Sequence, residues 1–434
     1  MGTVTVDQAK LVMNVFCTVF EDNLVTGEAV SWNEHSGEMD DRNKLTVVEQ
    51  MAPRYKIART TNGVKDLSGG TDGTVFGSEQ FTIDGTFNAN MGWGDFIKVR
   101  DIGSARENQA LLGAATSLAE QIDAYILGIA ALASNNWTGT VGNNLSDYID
   151  VVAGFTRLQE EGAGENEIRA ILTHMDRQLL GDQVINLPNE TGRDTYRQGF
   201  RGQIGGMPTL FTNSLPVLTM GSRGATAGAI NGASQNVNYA DVAVSSANGR
   251  YMTQTIAIDG LTGSQTIKAG EVFMIDGVYA YDCRKQANVS PARLQQFTVV
   301  SDATATTGAI AALRIFPAII VPGSGSGDNV NINTAHATVD SAPANDAAIT
   351  FLGTASTTYA PRLVIQKEAI TVDTVPLIMP ATGIAMRKKL SRIPVTVRMW
   401  QHSDFNTGAH GVRFDVALNA NIRERRRICR VNGA

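Results

Sequence analysis

The chain has 434 residues and a mass of 46.3 kDa, which as a prior allows about two to three domains. Hydrophobic residues make up 43%, enough for a sizeable core and against wholesale disorder. Only 18% of residues are charged and the net charge is −6, so the chain as a whole is no polyanion binder. Its 43 glycines are costly to order, so the chain must carry many turns or close backbone approaches. Such a composition reads as structural rather than metabolic.

Residues 1–50 are acidic, with nine acidic against three basic side chains. Asp7 can cap a helix over Gln8 to Leu24, with Val12, Val15, Phe16, Val19 and Phe20 on one face and Gly27 as a stop. From Tyr55 to Val99 the text becomes strand-like around a glycine-rich tip. Tyr55 to Arg59 leads into Thr60 to Gly77, and Phe81, Ile83 and Phe87 return, which predicts a long exposed β-hairpin.

Ser104 to Ser134 carries the clearest helical signal. Ser104-Ala105-Arg106-Glu107 fits a capping box, and Leu111, Ala115, Leu118, Ile122, Tyr125/Ile126, Ile129 and Ala133 recur at three- and four-residue spacing. The spacing predicts a rod about 43 Å long at ~1.5 Å per residue. A second helix is expected from Asp147 to Glu161, capped by Ser146. Ile168 to Thr173 reads as a buried strand, Met175 to Gln183 as a short helix, and Arg201 to Leu218 as short strands.

Ser222 to Ser341, 120 residues, contains no convincing helix. Strands are expected at Thr255–Ile258, Glu271–Ile275, Val278–Tyr281, Phe297–Val300 and Leu313–Ile320. Gly323 to Gly327 and Ser341-Ala342-Pro343 read as connectors. The pattern is that of an inserted all-β module whose ends return to one host domain, completed by strands at Arg362 to Val372 and Val395 to Arg430. Charge is uneven. Residues 387–434 hold eleven Lys/Arg and three Asp/Glu, a net of +8, which leaves −14 on the rest.

No constellation for chemistry rises above its bland reading. No apolar run approaches a membrane span, and Asp7 stands where a signal peptide would need basic residues, so neither a membrane anchor nor an export signal is expected. Cys17, Cys283 and Cys429 are odd in number and scattered, against a disulfide framework or thiolate metal site. His402-x-Asp404 with His410 is the nearest approach to a metal site and reads better as a polar hairpin tip. His174 reads as a local hydrogen-bonding residue. Gly323-x-Gly325-x-Gly327 lacks the Lys-Ser/Thr and the helix of a phosphate loop. No enzyme activity and no cofactor are expected. The run Arg423 to Arg430 can contact nucleic acid, or can be a strand with solvated or subunit-paired side chains.

The order of these pieces resembles the major capsid protein of tailed bacteriophages, in particular the coat proteins of Salmonella-type podophages that carry an insertion domain. Ser214-Leu215-Pro216-Val217-Leu218-Thr219 is similar to the lead-in to the insertion. Thr262-Gly263, Ile267 to Phe273 and Asp276-Gly277-Val278 are similar to the insertion-domain signature. Gly411 to Asp415 and Asn421 to Glu424 fit the closing strands.

The resemblance implies an α+β tailed-phage capsid-protein fold with an inserted all-β antiparallel barrel. Its parts would be an N-arm (1–50), an extended loop with flanking strands (51–100), a spine helix (101–145), an axial domain (146–221 and 342–385), the insertion (222–341) and closing peripheral strands (386–434). The implied function is a shell subunit that forms pentamers and hexamers of an icosahedral capsid around double-stranded DNA. An encapsulin-like compartment and a β-rich tail or adhesin protein are the alternatives.

Implied partners are further copies of the chain, a scaffolding protein, a portal protein and the packaged DNA, with a decoration protein left open. No membrane is involved. The location is the virion, with assembly in the bacterial cytoplasm. Candidate contact residues are Arg59, Lys65 and Asp66 on the extended loop, and Asn248 and Arg250 on an intercapsomer loop. Arg423, Arg425, Arg426, Arg427 and Arg430 would face DNA or a neighbouring subunit.

Overall fold

The computed structural model describes residues 6–40, 44–57, 59, 73–92, 108–140, 143–145, 147–164, 167–185, 203–204, 206–224, 228–245, 250–403 and 410–433. The architecture is mixed α+β, with three six-stranded sheets among the described residues.

The first sheet runs Ser31–Glu34, Ile370–Thr374, His410–Ile422, Thr396–Ser403 and Ile384–Lys389, with Thr86–Gly92 also paired to the long strand His410–Ile422. Two helices cover it. The N-terminal helix Val6–Asn23 buries Val12, Phe16 and Phe20, and the Phe16 ring stacks on Phe414 with centroids 3.8 Å apart. The helix inside the segment expected to be an arm is therefore packed as core of its own subunit, because its apolar face finds a sheet within the chain.

The long helix is Gln109–Ala133, 25 residues, which at ~1.5 Å per residue is about 37 Å rather than the longer rod expected. Its cap is Asn108, whose side-chain oxygen accepts from the Ala110 and Leu111 amides at 3.1 and 3.2 Å. Ser104 to Glu107 lie outside the described residues. Asp123, buried on this helix, accepts from the Val25 and Thr26 amides and the Thr26 hydroxyl. That carboxylate fastens the long helix to the turn just after the N-terminal helix.

The second sheet runs Asn136–Thr138, Ile428–Val431, Arg362–Gln366, Ile168–Leu172, Met207–Phe211 and Gln203–Ile204. The helix Tyr148–Glu160 lies on it, and its cap is Asp147 in a reciprocal box with Asp150; Ser146 lies outside the described residues. Gly154 lets that helix approach closely, since a Cβ there would sit 2.5 Å from Val431 Cγ2. His174–Ile185 supplies the short helix expected near Met175.

The third sheet belongs to the inserted segment: Ala229–Ile230, Gln254–Asp259, Ile310–Phe316, Leu294–Val299, Val272–Tyr279 and Ile349–Phe351. Its two ends meet, because Ile230 N donates to Ala347 O at 3.0 Å and Ile349 N to Gly228 O at 3.2 Å. Inside lie Ile256, Ile258, Phe273, Phe297, Leu313 and Ile315.

The segment is not all-β as expected. It contains the short helices Tyr239–Val242 and Asn329–His336, and the second comes directly after Gly323 to Gly327. Those glycines are no connector. Asn333 donates to Ser324 O at 2.9 Å and folds the loop onto its own helix. The closing strand Ile349–Phe351 also lies beyond the boundary expected at 341.

The hairpin exists with a different outgoing strand. Leu45–Met51 pairs with Gly77–Ile83, from Leu45 opposite Ile83 to Met51 opposite Gly77. Tyr55, Lys56 and Ile57 form no strand and are exposed.

Candidate assembly surface and arginine cluster

The basic run near the C-terminus is centred on a 3-10 turn, Arg425–Arg427, between the strands His410–Ile422 and Ile428–Val431, the second of which carries Arg430. Such a tight turn sends successive side chains in different directions. Its backbone is clamped by the residues that end the long helix: Asn135 N donates to Arg425 O at 3.3 Å, and the Asn136 side chain donates to Arg426 O.

The five arginines have separate fates. Arg423 is half-exposed and pairs with Glu49 on the hairpin at 2.6 Å. Arg425 is buried, with its guanidinium 5.2 Å from the Phe316 ring centre. Burial and the nearby Arg250 push it down to about 10 against the pull of Glu79, which leaves it charged at neutral pH. Arg426 and Arg427 are partly exposed. Arg430 is wholly buried. It donates to Tyr359 Oη at 3.1 Å and Ser134 O at 3.2 Å, and lies over the Trp137 ring. The expectation that Arg430 faces DNA or a neighbour does not hold, because its side chain is wholly buried and both terminal nitrogens donate inside the subunit.

Of the other candidates, Arg59 and Arg250 are exposed, and Lys65, Asp66 and Asn248 lie outside the described residues. So do Asp404 and the side chains of His402 and His410. Among the described residues no group of His, Cys, Asp or Glu is arranged to hold a metal ion, and no helix is long and apolar enough to cross a membrane. His174 begins its helix with its ring 6.4 Å from that of Phe211.

Sequence reasoning missed the contacts that knit the inserted segment to its host. Gln296 exchanges two bonds with the Trp137 backbone, at 2.9 and 3.1 Å, and Thr298 donates to Ser134 O at 3.0 Å. Arg293 grips both Glu160 and Glu161 at the end of a host helix, and Arg284 donates to Glu160 O at 2.6 Å. On the hairpin side, Tyr251 N donates to Glu79 Oε2 at 2.7 Å, Ser78 N to Ala243 O at 2.8 Å, and Gln80 N to Ser245 Oγ at 2.7 Å. Glu79 is buried, and desolvation raises its pKa despite that amide.

Exposed apolar side chains gather on the hairpin and on the connection between its two strands. Val48 is 59% exposed, Ile57 82% and Phe76 58%. Side chains of this size projecting from a two-stranded ribbon have little of their own chain to cover them.

The family model described as "P22 coat protein - gene protein 5" matches residues 1–426. The chain belongs to the P22 coat protein family. As a coat protein it is a shell-forming structural subunit, and its mixed α+β architecture agrees with the fold expected for one. No curated protein sequence matches this coat protein.

Among solved structures, the capsid of the cyanophage P-SCSP1u is similar over 94% of this chain and 87% of that one, at 11% identity and a TM-score of 0.39. The mature capsid of bacteriophage PhiM1 is similar over 94% and 86%, at 11% identity and 0.39. The capsid of a native GTA particle is similar over 95% and 91%, at 8% identity and 0.39. The assignment of this coat protein rests on the family match.

Proposed function

We propose that the chain is a major capsid protein whose copies form pentamers and hexamers of an icosahedral shell around packaged double-stranded DNA. The coat-family match over residues 1–426 carries this reading. The exposed apolar hairpin supports it, since Ile57 and Phe76 need a partner that a neighbouring copy supplies. Residues 51–100 would be the loop laid over that neighbour, 101–145 the spine, 146–221 with 342–385 the capsomer centre, and 386–434 the periphery. A scaffolding protein, a portal and, in some shells, a decoration protein would complete the particle in the host cytoplasm. Catalysis has no part in this reading.

The inserted segment would brace its own subunit. It is bonded to Ser134, Trp137, Glu79 and the Glu160–Glu161 pair of the host. The test is co-expression with a scaffolding protein and electron microscopy of the product. Uniform closed particles are expected from the native chain, and soluble monomers of unchanged stability from Ile57→Asp. Persistent monomers from the native chain would count against the shell reading. Deletion of residues 1–50 is no test of assembly, because it removes Phe16 and Phe20 from the core.

A further inference from the structure

A cavity of about 240 Å³ lies where the connection end of the hairpin, the arginine turn and the inserted segment meet. Four guanidinium groups border it besides the Glu49-paired Arg423: Arg54, Arg425, Arg426 and Arg427. Among the described residues only two carboxylates line the same space, Glu79 and Glu424, so this lining carries an excess of positive charge.

His336, also on the wall, adds no charge. Its Nε2 accepts the Arg54 backbone N–H at 3.3 Å, and its ring stacks on Tyr239 with centroids 3.6 Å apart. Arg425 is 8% exposed, and among the described residues no carboxylate reaches it for an ion pair; its contact is the Phe316 ring. Arg426 Nε is buried without a hydrogen-bond acceptor. A buried guanidinium without an ion-pair partner is costly, and the unpaired Arg426 Nε beside it is a donor that a multivalent oxyanion satisfies.

We propose that this cavity binds a small tetrahedral oxyanion, inorganic phosphate in the cell, between Arg54, Arg425 and Arg426. The anion fastens two separate parts of the chain: the connection end of the hairpin and the turn before the last strand. Its role is independent of what the assembled shell encloses.

The thiol of Cys283 lines the same cavity and accepts from Arg54 Nη1, so it reports occupancy. In the unassembled full-length chain, labelling of Cys283 by a thiol reagent is measured with phosphate against chloride at matched ionic strength. At phosphate near ten times its Kd, labelling slows about tenfold, and the thermal midpoint keeps rising with the logarithm of phosphate concentration above Kd. Arg426→Gln weakens the protection at least tenfold. Arg54→Gln, at an exposed position, does the same without risk to the core. Equal labelling in phosphate and chloride overturns the proposal, as does protection that neither substitution weakens. Protection by short duplex DNA without protection by phosphate also overturns it, in favour of a nucleic-acid contact.

Discussion

The Arg430 guanidinium donates to the Tyr359 phenolic oxygen at 3.1 Å from a side chain with no exposed surface. It lies at the end of the most basic stretch of the chain and is nonetheless an internal strut. It joins the last strand to Ser134 at the end of the long helix. Arg430→Ala should therefore cost about 3 kcal/mol in chemical denaturation, by lost packing and stranded partners. Arg427→Gln, on the partly exposed side of the turn, should stay within about 0.5 kcal/mol. A packaging defect with unchanged stability in Arg430→Ala would contradict the internal role.

How far the fold is legible in the sequence depends on how local the deciding contacts are. The faces of the two long helices are readable because Phe16, Phe20, Leu111 and Ile122 repeat at helical spacing. The hairpin is readable as a hairpin, but its outgoing strand is not. Leu45–Met51 is fixed by pairing to Gly77–Ile83 across a long connection, which no local pattern reports. The helix Asn329–His336 has poor helix formers and is held by Asn333, which bonds Ser324, Asn238 and Tyr239 N; tertiary bonds override propensity there. The arginine run shows its charge but not its burial, since Trp137 and Tyr359 are distant in the chain.

His336 should make the subunit sensitive to mild acid. Burial, with Arg54 and Arg426 nearby, pushes its pKa from 6.5 down to about 3. A depressed histidine contributes stability that is whole above the unfolded value. That contribution is lost as pH falls below 6.5 toward about 3, because the unfolded chain takes up the proton first. The limiting slope is about 1.4 kcal/mol per pH unit. The buried carboxyls of Glu79 and Asp123 have raised values and act in the opposite sense. The comparison is therefore between the native chain and His336→Phe, which keeps a ring on Tyr239. The variant should lose less stability from pH 6.5 to 4.5 in urea titrations, and parallel curves would refute the assignment.

Thiol reactivity should separate the three cysteines. Cys17 and Cys429 are buried, and desolvation pushes both thiols up to about 12. Cys283 is partly exposed at the cavity edge. Native protein should release one equivalent of chromophore from a thiol reagent on the minute scale, and three after denaturation. Peptide mapping should place the first label on Cys283. Rapid labelling of Cys429 would mean that the Ile428–Val431 strand opens readily.

Gly139 marks where the end of the chain is received. Its φ is +76°, and a Cβ there would collide with the Asn432 carbonyl oxygen, a backbone atom that cannot move aside alone. Gly139→Ala thus meets both a disfavoured backbone conformation and a collision with residues 432–433. It should cost more than about 2 kcal/mol, whereas Gly113→Ala, in open space on the long helix, should be neutral or stabilising by up to about 1 kcal/mol. Chemical denaturation of the two variants side by side decides this, and equal effects would refute it.

Asp176 and Arg362 form an ion pair open to failure by halves. Asp176 is fully buried, accepts Arg362 Nε and Nη2 at 2.9 and 2.8 Å, and also takes the Thr173 amide and hydroxyl at 2.9 and 2.6 Å. Removing one partner leaves the other charge buried without compensation, so Asp176→Ala should cost about 3–5 kcal/mol. Arg362→Met, which keeps apolar volume but strands the carboxylate, should cost a similar amount. The double variant should lose less than the sum of the two by more than about 1 kcal/mol, since neither stranded charge then remains. Arg362→Lys should recover little, because an ammonium cannot span both carboxylate oxygens as the planar guanidinium does. Additive losses in the double variant would show that the Thr173 bonds, and not the pair, hold the helix His174–Ile185 to its sheet.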